Sequence, residues 1–308
     1  MIQEKDNKYV RKELFCYNFS MAEIVEFITP QKVILKGLTL GNPKAKTWYI
    51  FIHGLGGNML SMRGLTPKLI DNTSSVLLFN NRGHDIISRI KKIDKREKSG
   101  YSSFYGGAAH EIFTDCVDDI QGAVDFVTSH GAKKIILVGH STGSQKAIYY
   151  LSKKEKQKNI SHTILLSPLS DFAGVINRVG LENYESILKI AKALVDQGSP
   201  HVLLPSSIWP EPIDIDAQRF LSLYTPVSDE DIFSYPTPDK KTIFSEITLP
   251  ITVILGEKDE YSDRPISEIK KWFDSHQNSS RYSSHIIRNA THGFDGTEDE
   301  VAKIILSL

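Results

Sequence analysis

The chain has little of several things, and each scarcity narrows what it can be. It has no excess of charge: Lys+Arg and Asp+Glu both number 37 among 308 residues, so no global field favours nucleic acid or an anionic membrane surface. It has two cysteines, Cys16 and Cys116, too few for a disulfide framework. Cys116 falls on the apolar face of an expected helix, where it reads as a small buried hydrophobe. No uninterrupted apolar stretch approaches the length a transmembrane helix needs, and the charged opening MIQEKDNKYVRKELFCYNFS lacks the apolar run of a signal peptide. The expected compartment is therefore the cytoplasm. What remains, 40% hydrophobic and 24% charged, is the composition of an ordinary globular protein long enough for one large core with an insertion.

Short apolar runs recur along the chain. Residues 24–28 and 33–40 read as a hairpin turning at Thr29-Pro30-Gln31. Further strands are expected in WYIFIHG (48–54), SVLLFNNRG (75–83), KIILVGHS (134–141), HTILLSPLS (162–170), ITVILGEKD (251–259) and SSHIIRNATHG (283–293). Continuous runs such as Ile135-Ile136-Leu137-Val138 suit strands covered on both faces, as in a parallel sheet. Helical spacing appears in Phe113, Cys116, Val117, Ile120, Val124 and Val127, with Gly131 as its stop. It recurs after Ser141, over about 182–197 and from about 298 to the end. This alternation implies an α/β doubly wound, mostly parallel sheet of the eight-stranded type. Residues 171–247 break the alternation, and so long a stretch without a strong strand reads as an inserted cap. The expected division is a core of 1–170 and 248–308 around a cap of 171–247. The charge run KKIDKREK (91–98) reads as a solvated surface loop.

The stretch LVGHSTGS (137–144) carries the chemistry. Gly139-His140-Ser141-Thr142-Gly143 fits G-x-S-x-G, a pattern that means little alone but here sits between an apolar strand and a helical pattern. A serine merely capping a helix is the rival reading, and the strand–turn–helix context favours a nucleophile held in strained backbone. A hydroxyl needs a base. His292 follows the last strand, so it emerges at the sheet edge where open α/β sheets bind ligands. The base needs a carboxylate to fix its tautomer. Asp259, just past strand 251–255, is the leading choice; Asp171, past the preceding strand, is its rival. FIHGLGGN (51–58) offers a glycine-rich loop after the third strand, so the Leu55 and Thr142 amides are the expected oxyanion donors, and His53 reads as structural. A dinucleotide fingerprint fails in this loop because Met59 stands where a glycine is required. HEIFT (110–114) fails as a zinc motif because Thr114 replaces the second histidine. No cofactor and no metal are expected.

HGLGG, NNRGHD (80–85), GHSTGS, GEKD and THGF together resemble the α/β-hydrolase superfamily from about residue 22 to 308. GHSTGSQ, SPLSD and RFLSLYTPVSDEDIFSY (219–235) also look like a branch best known in fungi and plants. The resemblance implies a triad of Ser141, Asp259 and His292, served by the same two amides. Position 80 is Asn where many relatives carry Asp, a change expected to touch only a structural hydrogen bond. The expected activity is hydrolysis of a small-molecule acyl ester through an acyl-enzyme, without nucleic acid or a membrane span. Thioesterase, lactonase, peptidase, acyltransferase and lyase chemistry stay open in the same site, as do a binding protein with a vestigial triad and the oligomeric state.

Overall fold

The computed structural model describes residues 22–154, 159–226, 228–237 and 242–308. Cys16 and the charged opening segment lie outside them. Ten strands form one sheet: β1 (Ala22–Ile28), β2 (Val33–Gly41), β3 (Thr47–Ile52), β4 (Ser74–Phe79), β5 (Ser88–Ile93), β6 (Tyr101–Gly106), β7 (Lys134–His140), β8 (Ile160–Leu166), β9 (Ile251–Gly256) and β10 (Tyr282–Ile287). Their spatial order is β10-β9-β8-β7-β3-β4-β2-β5-β6, with β1 paired to β2. From β4 to β10 across that order the pairs are parallel; β1, β2, β5 and β6 pair antiparallel at the other side.

The central strands are buried on both faces, as their continuous apolar runs require. Trp48, Ile50 and Ile52 of β3, with Ile135 and Leu137 of β7, enter one apolar cluster. Their alternating neighbours Tyr49, Phe51, Ile136 and Val138 enter a second on the opposite face. Helices α1 (Cys116–Ser129), α2 (Thr142–Lys153) and α6 (Ile266–His276) supply residues to the first cluster, and α7 (Glu298–Leu306) to the second. Cys116 is buried in the first, as its helical spacing indicated. Gly131 follows α1 at φ +89°, a conformation open to glycine at little cost.

The structure departs from the sequence-based expectation in three places. The charge run at 91–98 is not a loop: it spans the end of β5 and the turn into β6, and the two strands extend the sheet from eight to ten. Helix α6 carries Ile266, Ile269, Trp272 and Phe273 on a buried face that the sequence reading passed over. Among the described residues of 171–247 there are three α-helices, α3 (Asp171–Val179), α4 (Leu181–Asp196) and α5 (Ala217–Leu223), with a third apolar cluster of their own. That cluster reaches only as far as Tyr224, however. Phe233, Tyr235, Phe244 and Ile247 pack in the first core cluster, so apolar packing changes hands near residue 225 rather than at 247.

Four buried charges join these helices to the sheet. Glu111 accepts from Lys146 Nζ of α2 at 2.5 Å and from Arg219 Nη2 of α5 at 3.0 Å, and Arg219 also pairs with Glu230. Burial pushes the Glu111 carboxyl up, but Lys146 and Arg219 together hold it below the ordinary carboxylate value. Removing one member strands its partners as uncompensated interior charge. Glu111→Gln is therefore expected to cost about 3–5 kcal/mol of unfolding free energy. Urea denaturation checks this, and a loss below about 1 kcal/mol would contradict the role given to the network.

Candidate active site

Parallel pairing decides where the chemistry gathers. Ile52 of β3 lies opposite Gly139 of β7, His140 opposite Leu166 of β8, Leu166 opposite Ile254 of β9, and Gly256 opposite Ile287 of β10. The segments following β3, β7, β9 and β10 thus leave the sheet at one rim. The chain passes from β3 outward to β4 and later returns to β7 on the other side of β3, which makes a crevice between them.

Ser141 sits at that crevice with φ 53° and ψ −126°, a region ordinary L-residues avoid. Its N–H donates to Leu166 O at 2.9 Å, and its carbonyl accepts from Ser144 N at 2.8 Å, which fastens the turn on both sides. The two motif glycines are obligatory on steric grounds. A Cβ on Gly139 would come within 2.4 Å of Gly143 O, and one on Gly143 within 2.0 Å of Ile52 O. Gly54 faces the serine, where a Cβ would lie 2.7 Å from Ser141 Cβ.

His292 Nδ1 lies 2.8 Å from Asp259 Oδ2, an oxygen buried from solvent. Asp171, the rival acid, instead accepts from Gln145 Nε2 at 2.8 Å. His292 is held at its backbone as well: its N–H donates to Glu260 Oε2 at 2.9 Å, and its carbonyl accepts from Ser167 Oγ and the His140 ring, each at 3.0 Å. The Tyr261 ring packs edge-on against the imidazole at 4.9 Å between centroids. Glu260, Ser167 and Tyr261 escape the sequence reading, and His140 enters it only as a position of the G-x-S-x-G motif. A carboxylate or aromatic next to the motif Asp was the only available hint for Glu260 and Tyr261. Ser167, at φ 46° after β8, left no signal.

Ser141 and His292 line the same cavity, of about 330 Å³. Among the described residues no hydrogen bond joins Ser141 Oγ to the His292 ring; the two side chains share the cavity. Leu55 also lines the cavity, and Thr142 opens helix α2. Among the described residues neither backbone N–H has an acceptor. Residues 54–57 form a turn closed by Gly57 N→Gly54 O at 3.1 Å, with Gly56 at φ +63°. His53 is buried, accepts from Asn81 N at 3.2 Å through Nε2, and so donates from Nδ1 to Gly54 O at 2.9 Å. Burial, with Lys146 adding to it, pushes its imidazole down to about 3, which keeps it a neutral strut for the loop. Burial and the adjacent His292 likewise push His140 down to about 4. Asn80 accepts from Met59 N at 2.7 Å, a structural bond as expected.

The remaining cavity wall comes from α3 and the segment after α4, through Asp171, Arg178, Trp209, Glu211 and Ile213. Arg178 pairs with Glu211 at 2.8 Å. Trp209 packs edge-on against Phe220 at 5.5 Å, so much of this segment's aromatic content serves its own core.

A mostly parallel sheet with the Ser, Asp and His segments following β7, β9 and β10 defines an α/β-hydrolase fold. Solved structures agree: Est1E from Butyrivibrio proteoclasticus, determined with ferulic acid bound, aligns with a TM-score of 0.61 at 17% identity, covering 92% of this chain and 97% of that one. The chain belongs to the family described as "Protein of unknown function (DUF1749)", whose model matches residues 90–307. Among curated proteins it is similar to UPF0613 protein PB24D3.06c of Schizosaccharomyces pombe, 25% identical over 207 residues, which are 64% of this chain and 60% of that protein. It is also similar to fusarinine C esterase sidJ of Aspergillus fumigatus, 29% identical over 154 residues, 38% of this chain and 43% of that protein. The chain thus spans less than two thirds of the length of either relative.

Burial pushes the Asp171 carboxyl up to about 6, against an ordinary value of 3.8. A raised folded-state value means the folded chain keeps a proton that the unfolded chain has released. The stability this contributes is full at low pH and is lost as pH rises through about 6. Asp171→Asn stays neutral throughout. Relative to the parent, this variant is expected to gain stability between pH 4.5 and 7.5, measured by urea denaturation at both; a difference independent of pH would contradict the burial account.

Proposed function

We propose that the chain is a serine hydrolase of the carboxylesterase type. The observation that carries this reading is the 2.8 Å pair between His292 Nδ1 and Asp259 Oδ2 on the cavity that Ser141 enters from its strained turn. The similarity to an esterase, sidJ of Aspergillus fumigatus, supports an ester as the bond cleaved.

In this mechanism Ser141 Oγ attacks the acyl carbonyl carbon while His292 Nε2 takes the hydroxyl proton. Asp259 holds the proton on Nδ1 and offsets the imidazolium charge that develops. The carbonyl oxygen, now an anion, receives the free amides of Leu55 and Thr142. The latter opens a 12-residue helix, whose dipole adds to the attraction. Loss of one such donor typically costs about 3–4 kcal/mol of barrier lowering. His292 then passes its proton to the leaving alcohol oxygen, leaving an acyl-enzyme on Ser141. Water, deprotonated by the same imidazole, attacks the acyl carbon and releases the acid. Residues 171–225 would act as the cap that selects the acyl or alcohol group, since Asp171, Arg178, Trp209 and Ile213 line the same cavity as Ser141.

The test is labelling with a fluorophosphonate, then turnover of p-nitrophenyl esters of increasing chain length. Labelling is expected on Ser141 and is lost in Ser141→Ala and His292→Ala, with ester turnover down roughly 10⁴-fold or more. A folded chain that takes no label would overturn the enzyme and leave a binding protein. Labelling without hydrolysis of any ester would leave the nucleophile but reject the esterase.

A further inference from the structure

Away from the cavity, three side chains with metal-binding atoms converge where the sheet's connecting loop meets the helical segment. His110 Nδ1 lies 2.9 Å from Asp216 Oδ2, and His201 Nδ1 lies 2.8 Å from the same oxygen. All three donor atoms fall within 4.8 Å of one another, the one such trio among the described residues. None of the three lines the cavity, and the proposed mechanism uses none of them. HEIFT lacks a second histidine in sequence, but the tertiary fold brings one to His110 from residue 201.

The backbone, rather than side-chain chance, sets this geometry. Asp216 is fully buried and caps α5: its Oδ1 accepts from Arg219 N at 2.6 Å, while its own N–H donates to Ala109 O at 2.9 Å, beside His110. With Oδ1 committed to the helix, Oδ2 is the oxygen turned to both imidazoles. His201 is fixed by the short antiparallel pairing that follows it, through Leu204 N→Ile215 O at 2.9 Å and Ala217 N→Val202 O at 3.1 Å. His110 is fixed by its N–H to Gly107 O at 3.1 Å. A ligating carboxylate is commonly held by a hydrogen bond of its own, as Oδ1 is here by Arg219 N.

Two imidazole nitrogens and one carboxylate oxygen match the donor set of an open tetrahedral zinc site. Ligand distances of about 2.0–2.2 Å around Zn²⁺ place neighbouring donors roughly 3.4 Å apart, so the histidine–aspartate pairs need open by only about half an ångström. The His201 side chain is 56% exposed, which gives an ion a way in and leaves the fourth position to water. We propose that His110, His201 and Asp216 bind Zn²⁺, and that the ion pins the helical segment 171–225 to the loop after β6.

The ligands come from segments some 90 residues apart in the chain, so an ion there would link the two units and stabilise the folded state by mass action. The experiment is isothermal titration of the EDTA-treated, dialysed full chain with ZnCl₂, paired with thermal unfolding in zinc or EDTA. One equivalent is expected to bind and to raise Tm. His201→Ala and His110→Ala are each expected to weaken binding at least about tenfold and to remove the Tm shift. His201 is exposed, so its variant reports even where His110→Ala fails to fold. No zinc uptake by the parent chain would overturn the site, and so would unchanged affinity in His201→Ala. Because the readouts are metal affinity and Tm, the result stands apart from that of the labelling experiment.

Discussion

Ser141 holds a backbone conformation that an L-residue leaves at the first opportunity, and much of the surrounding chain serves to deny it that opportunity. The strain is of the order of 1–3 kcal/mol, small beside the packing that enforces it. Three contacts set the limits. Gly143 lies against the carbonyls of Ile52 and His53, Gly139 lies against Gly143, and Gly54 lies against the serine itself. These approaches lock strand β3, strand β7 and helix α2 into one block. A side chain at any of the three glycines would push that block apart. The same closeness leaves the amides of Leu55 and Thr142 beside the serine without backbone partners, so the constraint that strains the turn also leaves free the polar groups that the proposed oxyanion would use.

A second constraint runs from that block into the helical segment. Lys146 sits on α2 just over one turn beyond Ser141, fully buried, and its charge is met by Glu111. Glu111 also meets Arg219, and Arg219 meets Glu230. Apolar packing alone would let α5 slide over the sheet, because dispersion contacts lack direction. A chain of interior charges does not tolerate sliding, since each displaced partner is left unpaired in a low dielectric. The cavity wall carried by Trp209 and Ile213 is therefore placed by groups that do not line the cavity.

The legibility of the sequence follows the same division. The turn at Ser141, the Asp259 and His292 positions and the glycine loop are legible because each lies at the end of an apolar strand run, where period and turn chemistry agree. The β5–β6 hairpin could not. Its strands bury only Ser88, Ile90 and Gly106, so the run from Lys91 shows the charge of an edge strand and none of the apolar alternation. Helix α6 is hard to read although Ile266, Ile269, Trp272 and Phe273 keep helical spacing; Lys270, Lys271 and Asp274 between them dominate the local composition. The supports of His292 are the least legible. Ser167 Oγ and the His140 ring reach its carbonyl across 125 and 152 residues, and no local pattern encodes a contact of that kind.

The segment after residue 171 poses a different difficulty. Its aromatics by themselves do not tell a pocket from a core: Trp209, Phe220 and Tyr224 pack against one another and give helices α3, α4 and α5 a core. What they leave for the cavity is mixed: Asp171 and the Arg178–Glu211 pair stand with Trp209 and Ile213 around the same space. Polar groups placed in a pocket discriminate more sharply than apolar ones, because a ligand that fails to meet them leaves them desolvated and unpaired. Selection by this wall would then depend less on the length of an alkyl chain than on whether the bound group can meet a carboxyl and a paired guanidinium. Under the proposed function, the parallel strands would fix the reacting atoms and the helices would choose what is brought to them.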